Sequence, residues 1–487
     1  MFPVIRPLVR RPRFARGAPS LVLAAGLSLL LSTAPVAAAT TYNFAAYLGG
    51  PLHSSFTADS QITPANAGHL VQAWSWAPAS GTASGEPQGG IYSSPAVYNH
   101  VIYIGANTGY FYALKESTGT VIWKKLLGWQ PQITCPAQGI VTTATVSTVK
   151  TSTHTTETVV YVSSPDGYLY ALNAANGATI WRSTIAIPST TTNDYFDWSS
   201  PTVFGNYLYV GIASNCDTPL VRGGLVLFNR TTGARLASYY TVPAGSVGGS
   251  IWSSAAVNSA EVFVTTGNAP AGTTGDSDAL VRLNPTTLAR VAGWSVPDPT
   301  ASVDDFDFGA SPTFFKATIN GVVNQLIGAC SKDGTYYAFL AGSLAKPYWQ
   351  YQVGTPNSDG GSACLAASIL DSSGRLFVAG NQTTINGMTY YGSIREMNPA
   401  TGQPIWQDGL SANVLGTPSE DGAGVIAAAT HEYIPSGLTN QAYLINAANG
   451  QILAIINNAN AKEFAQPVFA DKYLLLTTIN RLYAYMP

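Results

Sequence analysis

Three carboxylates stand within four residues at Asp304, Asp305 and Asp307. Packed that closely they repel one another unless a cation or solvent screens them, so the segment reads as a cation site or as a solvated loop. Downstream, Ser331-Lys332-Asp333-Gly334 offers a single cation, in a sequence that also suits a plain Asp-Gly turn. Asn268, in VTTGNAPAG, carries an amide oxygen of the kind a hard cation takes, or it closes a Gly-Asn turn. Asp217 follows Cys216 and reads most simply as a solvated loop acid. Other chemistries find no foothold. The five histidines are scattered with no HExxH, and there is no GxSxG nucleophile elbow and no GxxxxGK[ST] phosphate loop. Cys135, Cys216, Cys330 and Cys364 form no CxxC or CxxCH, which argues against a zinc clip or an attached haem.

The elements that must hold these residues are strands. Of 487 residues only 10% are charged, while 47 are Gly, 30 Pro and 26 Tyr. That mixture suits many short strands joined by tight turns and lacks the charged faces of a helical bundle. An apolar content of 46% excludes a disordered chain. The net charge of −2 gives no footprint for nucleic acid. Five arginines between Arg6 and Arg16, an apolar run from Leu21 to Leu31 and the small residues Ala37-Ala38-Ala39 have the layout of a secretory signal peptide. Cleavage is expected after Ala39. Arg10-Arg11 with Phe14 leaves both the twin-arginine and the Sec routes open. Without those arginines, 18 basic residues face 25 acidic ones. An exported chain, periplasmic or extracellular, meets oxidising conditions, so the four cysteines are expected to pair. Three pairings are possible, and Cys135–Cys216 with Cys330–Cys364 is favoured because each joins neighbouring segments.

One unit recurs along residues 40–487. GYFYALKESTGTVIW (109–123), GYLYALNAANGATIW (167–181), GGLVLFNRTTGARLA (223–237), GSIREMNPATGQPIW (392–406) and NQAYLINAANGQILA (440–454) are in phase, with weaker copies at 278–294 and 334–349. Each unit reads as four strands rich in β-branched and aromatic residues, and no intervening segment has a helical period. Repeated four-stranded antiparallel sheets make a β-propeller. Units begin near Ser93, Ile140, Ser199, Ser253, Ala310, Ala363, Gly416 and Gln466, which gives eight blades. The last unit stops after three strands, so LVQAWSWAP (70–78) is expected to complete it and close the ring, leaving no open edge. Thr-rich 145–160 reads as a long hairpin loop in the second blade.

The pattern YALNAANGATIW resembles the repeat of the pyrroloquinoline quinone (PQQ) enzymes, a family of eight-bladed propellers locked by tryptophans on the outer strands. Trp123, Trp181, Trp349 and Trp406 match that tryptophan and Trp294 is taken with them, while Ala237 and Ala454 depart from it. VDDFDFGASPTFF, GACSKDGTYYAF and NCDTPLVRGGLVLF are similar to the polyvinyl alcohol dehydrogenase-like branch.

The resemblance implies a calcium- and PQQ-dependent alcohol dehydrogenase. Asp217, Asn268 and Asp305 would ligate calcium, and Asp305 or Asp307 would take the hydroxyl proton of an alcohol, secondary or polymeric. Lys332 would face the quinone oxygens, with Trp252 the stacking platform. Gln138 would stand where the family carries a cofactor-binding arginine. With no haem-attachment sequence, electrons would pass to a separate acceptor, and the protein would act as a monomer. The family's vicinal cysteine pair is missing. That loss and Gln138 motivate the alternative: a propeller without catalysis, binding a protein partner as an envelope scaffold.

Overall fold

In the computed structural model, residues 41–79, 89–150, 155–297, 306–356, 363–431, 440–457 and 464–487 are described. The leader expected at 1–39 and the acids Asp304 and Asp305 lie outside them. The described strands form eight antiparallel sheets. Blades 1 to 7 occupy residues 96–126, 145–184, 195–240, 256–295, 313–352, 369–410 and 419–457. Blade 8 takes Val468–Ala470, Tyr473–Thr477 and Leu482–Met486 from the C-terminus and Val71–Trp76 as its outer strand. The pairing of Val71 with Met486 and of Trp76 with Leu482 joins the chain ends as expected.

Burial follows the layout of a ring. The two middle strands of each blade are almost wholly buried, as in Val425–Ala429 and Tyr110–Lys115, whereas the outer strand Val121–Leu126 is largely exposed. The core is correspondingly divided into eight wedges, one between each pair of neighbouring blades. A strand packed on both faces has no place for a charge, which accounts for the low charge content. Thr145–Lys150 and Thr156–Ser164 pair as the first strands of blade 2 rather than forming a loop, since threonine is β-branched and favours a pleated strand.

The tryptophan lock is a contact between blades. A Cβ on Gly119, Gly177, Gly233 or Gly450 would meet the ring of Trp74, Trp123, Trp181 or Trp406 of the preceding blade, and Gly402 stands so against Trp349. The indole N–H groups of Trp123, Trp349 and Trp406 donate to the carbonyls of Ala174, Pro399 and Ala447 in the same turns. Between blades 3 and 4 both partners change together. Ala237 replaces the ring and Leu288 replaces the glycine, keeping its left-handed φ of 55°. Leu288 is 2% exposed and fills the vacated space beside Ala237. Trp294 departs from expectation. The register after the strand bulge puts Ala292 at the tryptophan position, and Trp294, two residues on, packs on Tyr337 and Phe339 instead.

Residues 44–59 run around the innermost strands. Their backbone bonds to Val97, Val146, Val257, Phe314, Leu370 and Glu420, reaching six blades. His53 on this belt is buried and donates Nδ1–H to the Pro312 carbonyl, and burial pushes its pKa down to about 4.

Candidate active site in the central channel

In six of the eight blades the entry to the inner strand supplies a hydroxyl to the ring axis. The backbone N–H of Ser94 donates to Thr143 Oγ1, that of Thr143 to Ser200, that of Ser200 to Ser254 and that of Ser254 to Ser311. Ala367 donates to Thr417, and Gln466 closes the circle on Ser94. The chain of bonds breaks at blades 6 and 8, because Ala367 and Gln466 have no hydroxyl. Tyr47, carried by the belt, reaches the same level and bonds to Thr417 and Ser311, with burial raising its pKa. Above this hydroxyl floor is a cavity whose walls include Tyr92, Trp198, Trp252, Leu365 and Phe464.

Blades 4 and 5 place the ionic groups. Lys332 N–H donates to the Asp307 carbonyl and Ser331 Oγ to that of Phe306, which holds the two loops together. The Lys332 ammonium lies 2.5 Å from Asp307 Oδ1, and the two side chains are 14% and 3% exposed. The same ammonium stands 5.3 Å from the Trp252 ring centre, and Trp252 Nε1–H donates to Asp307 Oδ2 at 3.4 Å. Trp252 thus has an anchored edge and a face on the cavity. Phe464 meets that ring edge-on at 5.9 Å. Gly309 lies against the indole, since a Cβ there would come 2.6 Å from Trp252 Cη2 and collide with Leu365.

Of the residues expected from sequence, the structure brings Trp252, Asp307 and Lys332 together. Asn268 is half-buried next to Gly267, where a Cβ would stand 3.0 Å from Asp307 Oδ2, and its carbonyl accepts the Gly249 N–H. Asp217 is exposed in the loop after Cys216. Gln138 is half-buried between blades 1 and 2, bridged to Gln130, and its Oε1 has no hydrogen-bond partner. Asp305 lies outside the described residues. Both favoured disulfides form. Cys330–Cys364 joins the strand leading to Lys332 to the segment carrying Leu365, so it ties the ionic cluster to one wall of the cavity. The hydroxyl floor was missed from sequence, although Ser94-Pro95, Ser200-Pro201, Ser311-Pro312 and Thr417-Pro418 recur in phase with the blades. Tyr47, Trp198 and Phe464 carried no such signal.

A family model for the β-propeller domain of glucose, ethanol and alcohol dehydrogenases, named for PQQ, matches residues 44–342. The chain belongs to this PQQ propeller family. Solved structures agree on the fold of a PQQ propeller. The quinohaemoprotein alcohol dehydrogenase from Comamonas testosteroni is 16% identical, with a TM-score of 0.70 over 91% of this chain and 80% of that one. A europium-containing methanol dehydrogenase is 13% identical, with a TM-score of 0.71 over 91% and 98%. BamB from Moraxella catarrhalis is 15% identical, with a TM-score of 0.53 over 86% and 100%. No curated protein matches the sequence. Among the described residues no helix is long and apolar enough to cross a membrane.

Proposed function

We propose that this PQQ propeller is an exported PQQ-dependent dehydrogenase of an alcohol, secondary or polymeric, and that it hands its electrons to a separate acceptor. The observation that carries the reading is the cluster of Trp252, Asp307 and Lys332, in which Trp252 lines an aromatic, hydroxyl-floored cavity and the two ionic groups stand behind its indole. The residues fit a flat anionic ring system. Trp252 offers a stacking face, with Gly309 beside it where a Cβ would collide. Ser94, Thr143, Ser200 and Ser254 each accept a backbone N–H, which leaves their own protons available for donation.

When bound, PQQ supplies the acceptor for the alcohol's hydride. Asp307 would take the hydroxyl proton, the task a positioned carboxylate performs, and Asp305 is the second acid proposed for that role. Lys332 would stabilise negative charge developing at the acceptor's oxygens. Leu365 and Phe464 keep bulk water from that face. For calcium, Asp307 and the Asn268 amide have the oxygen donors a hard ion takes. Asp217, exposed, is the weakest member of the proposed ligand set, and Asp305 is its remaining member.

The test is reconstitution of the purified protein with PQQ and Ca²⁺, followed by dye reduction across primary, secondary and polymeric alcohols. PQQ should quench tryptophan fluorescence in the wild type and much less in Trp252→Ala. Asp307→Asn should keep PQQ binding and lose about 10²–10⁴-fold in rate. A wild type that does not bind PQQ would sink the proposal and leave the scaffold reading.

A further inference from the structure

Away from the channel, the seam between the first and last blades gathers three groups that the function above does not use. His100 sits in the turn between the first two strands of blade 1, Glu116 follows its third strand, and Asp471 occupies the corresponding first turn of blade 8. His100 Nδ1 is 3.0 Å from Glu116 Oε2 and 2.7 Å from Asp471 Oδ2. One ligand atom from each of the three falls within 4.8 Å of the others. Among the described residues this is the only such group of His, Cys, Asp and Glu side chains.

We propose that His100, Glu116 and Asp471 form a binding site for a divalent transition-metal ion, zinc by preference, that clasps the ring where its two ends meet. Two features beyond proximity carry this. Glu116 is 2% exposed and its Oε1 accepts no hydrogen bond, so a buried carboxylate oxygen is left without a donor, a costly state unless a cation satisfies it. Two of the other atoms are already held from outside the cluster. Asp471 Oδ1 accepts the Tyr42 backbone N–H at 2.8 Å, and His100 Nε2 meets Thr41 Oγ1 at 3.3 Å. Without an ion, Nδ1–H stands between the two carboxylates; with one bound, Nε2–H would donate to that hydroxyl and Nδ1 would give its lone pair to the metal. An outer partner that fixes the tautomer in this way is the usual accompaniment of a metal-bound histidine.

The donor set chooses the ion. One imidazole nitrogen with two carboxylates suits zinc, whereas calcium takes oxygen ligands. About 2.0 Å from a tetrahedral ion, ligand atoms stand about 3.3 Å apart, so the two separations from Nδ1, 3.0 and 2.7 Å, would open by about 0.3 and 0.6 Å. His100, whose side chain is 62% exposed, leaves the fourth position to water. The ion would tie blade 1, blade 8 and the residues at 41–42 into one joint.

The experiment incubates the full purified protein with Zn²⁺, desalts it and measures retained zinc, with the melting temperature as a second readout. Wild type and Asp307→Asn should each retain one equivalent at this site and melt higher with zinc. His100→Ala and Asp471→Asn should lose that equivalent and the thermal response. Thr41→Val should weaken affinity by about tenfold or more. His100→Asn, a residue suited to the left-handed φ of 60° at this turn, is the second variant and should lose the equivalent as well. The proposal is overturned if the wild type retains no more zinc than His100→Ala, or if zinc raises the melting temperature of both equally. Loss of the equivalent in Asp307→Asn alone would place the metal in the channel and overturn it too.

Discussion

Blade locking makes a quantitative prediction at Gly177. Its φ is 71°, a region that costs an L-residue about 1–2 kcal/mol. An alanine Cβ would also stand 2.7 Å from Cε3 and 3.0 Å from Cδ2 of Trp123, whose ring is 9% exposed and fixed by its N–H bond to the Ala174 carbonyl. Neither the turn nor the ring can retreat freely, so overpacking adds about 1–3 kcal/mol. Gly177→Ala should therefore destabilise by about 2–5 kcal/mol. Gly205→Ala is the control. Its φ is 57° but nothing lies within 4 Å of the new methyl, so only the backbone cost of about 1–2 kcal/mol remains. Trp123→Ala is itself expensive, at about 3–5 kcal/mol, yet Gly177→Ala made in that background should cost only as much as Gly205→Ala. A double-mutant cycle read by urea or thermal unfolding measures the difference. If Gly177→Ala costs the same with and without Trp123, the ring is not what demands glycine. The pairing of Ala237 with Leu288 is the natural counterpart of that double variant.

Stability should depend on pH through acids buried where the belt meets blades 6 and 7. Burial pushes Glu420 up to about 8, with Asp371 and Asp421 adding to it against Arg375, and Asp421 up to about 7. The folded state holds these protons at pH values where the unfolded chain has released them, so stability falls as pH rises through 7 and 8. His53, depressed by burial, acts in the opposite sense and loses stability as pH drops below about 6.5. The melting temperature should be higher near pH 6.5 than at 8.5, and Glu420→Gln should flatten that slope; an unchanged slope would contradict the assignment. Replacing Cys330 and Cys364 together by Ser removes a cross-link over 34 residues and should cost about 2–4 kcal/mol. Reductant should lower the wild-type melting temperature through both bridges, and that variant's by less, because only Cys135–Cys216 remains to be reduced.

Most of the ring was legible in the sequence because its information is local. A strand, a turn and the next strand are encoded within one repeat, so phase and number followed from GYLYALNAANGATIW and its copies. Closure by Val71–Trp76 followed from counting the strands left over, and both disulfides followed from adjacency. Register within a strand was less visible. Trp294 lies two residues from the locking position because the bulge in blade 4 decides which side chain meets the neighbouring turn.

What only the tertiary structure decided is the interior of the ring. Tyr47, Trp252, Asp307, Lys332 and Phe464 lie far apart along the chain, and no period connects them. Among the clustered acids the sequence singled out Asp305 and Asp307 without choosing between them as the base, and the one described, Asp307, is found paired with Lys332 against an indole edge. Asp217, the other acid expected at the metal, sits in solvent. The physical reason is that repeats specify contacts between sequence neighbours and between like faces of adjacent blades. The axis is instead assembled by closure, which brings one or two side chains from each blade to a place none of them encodes alone.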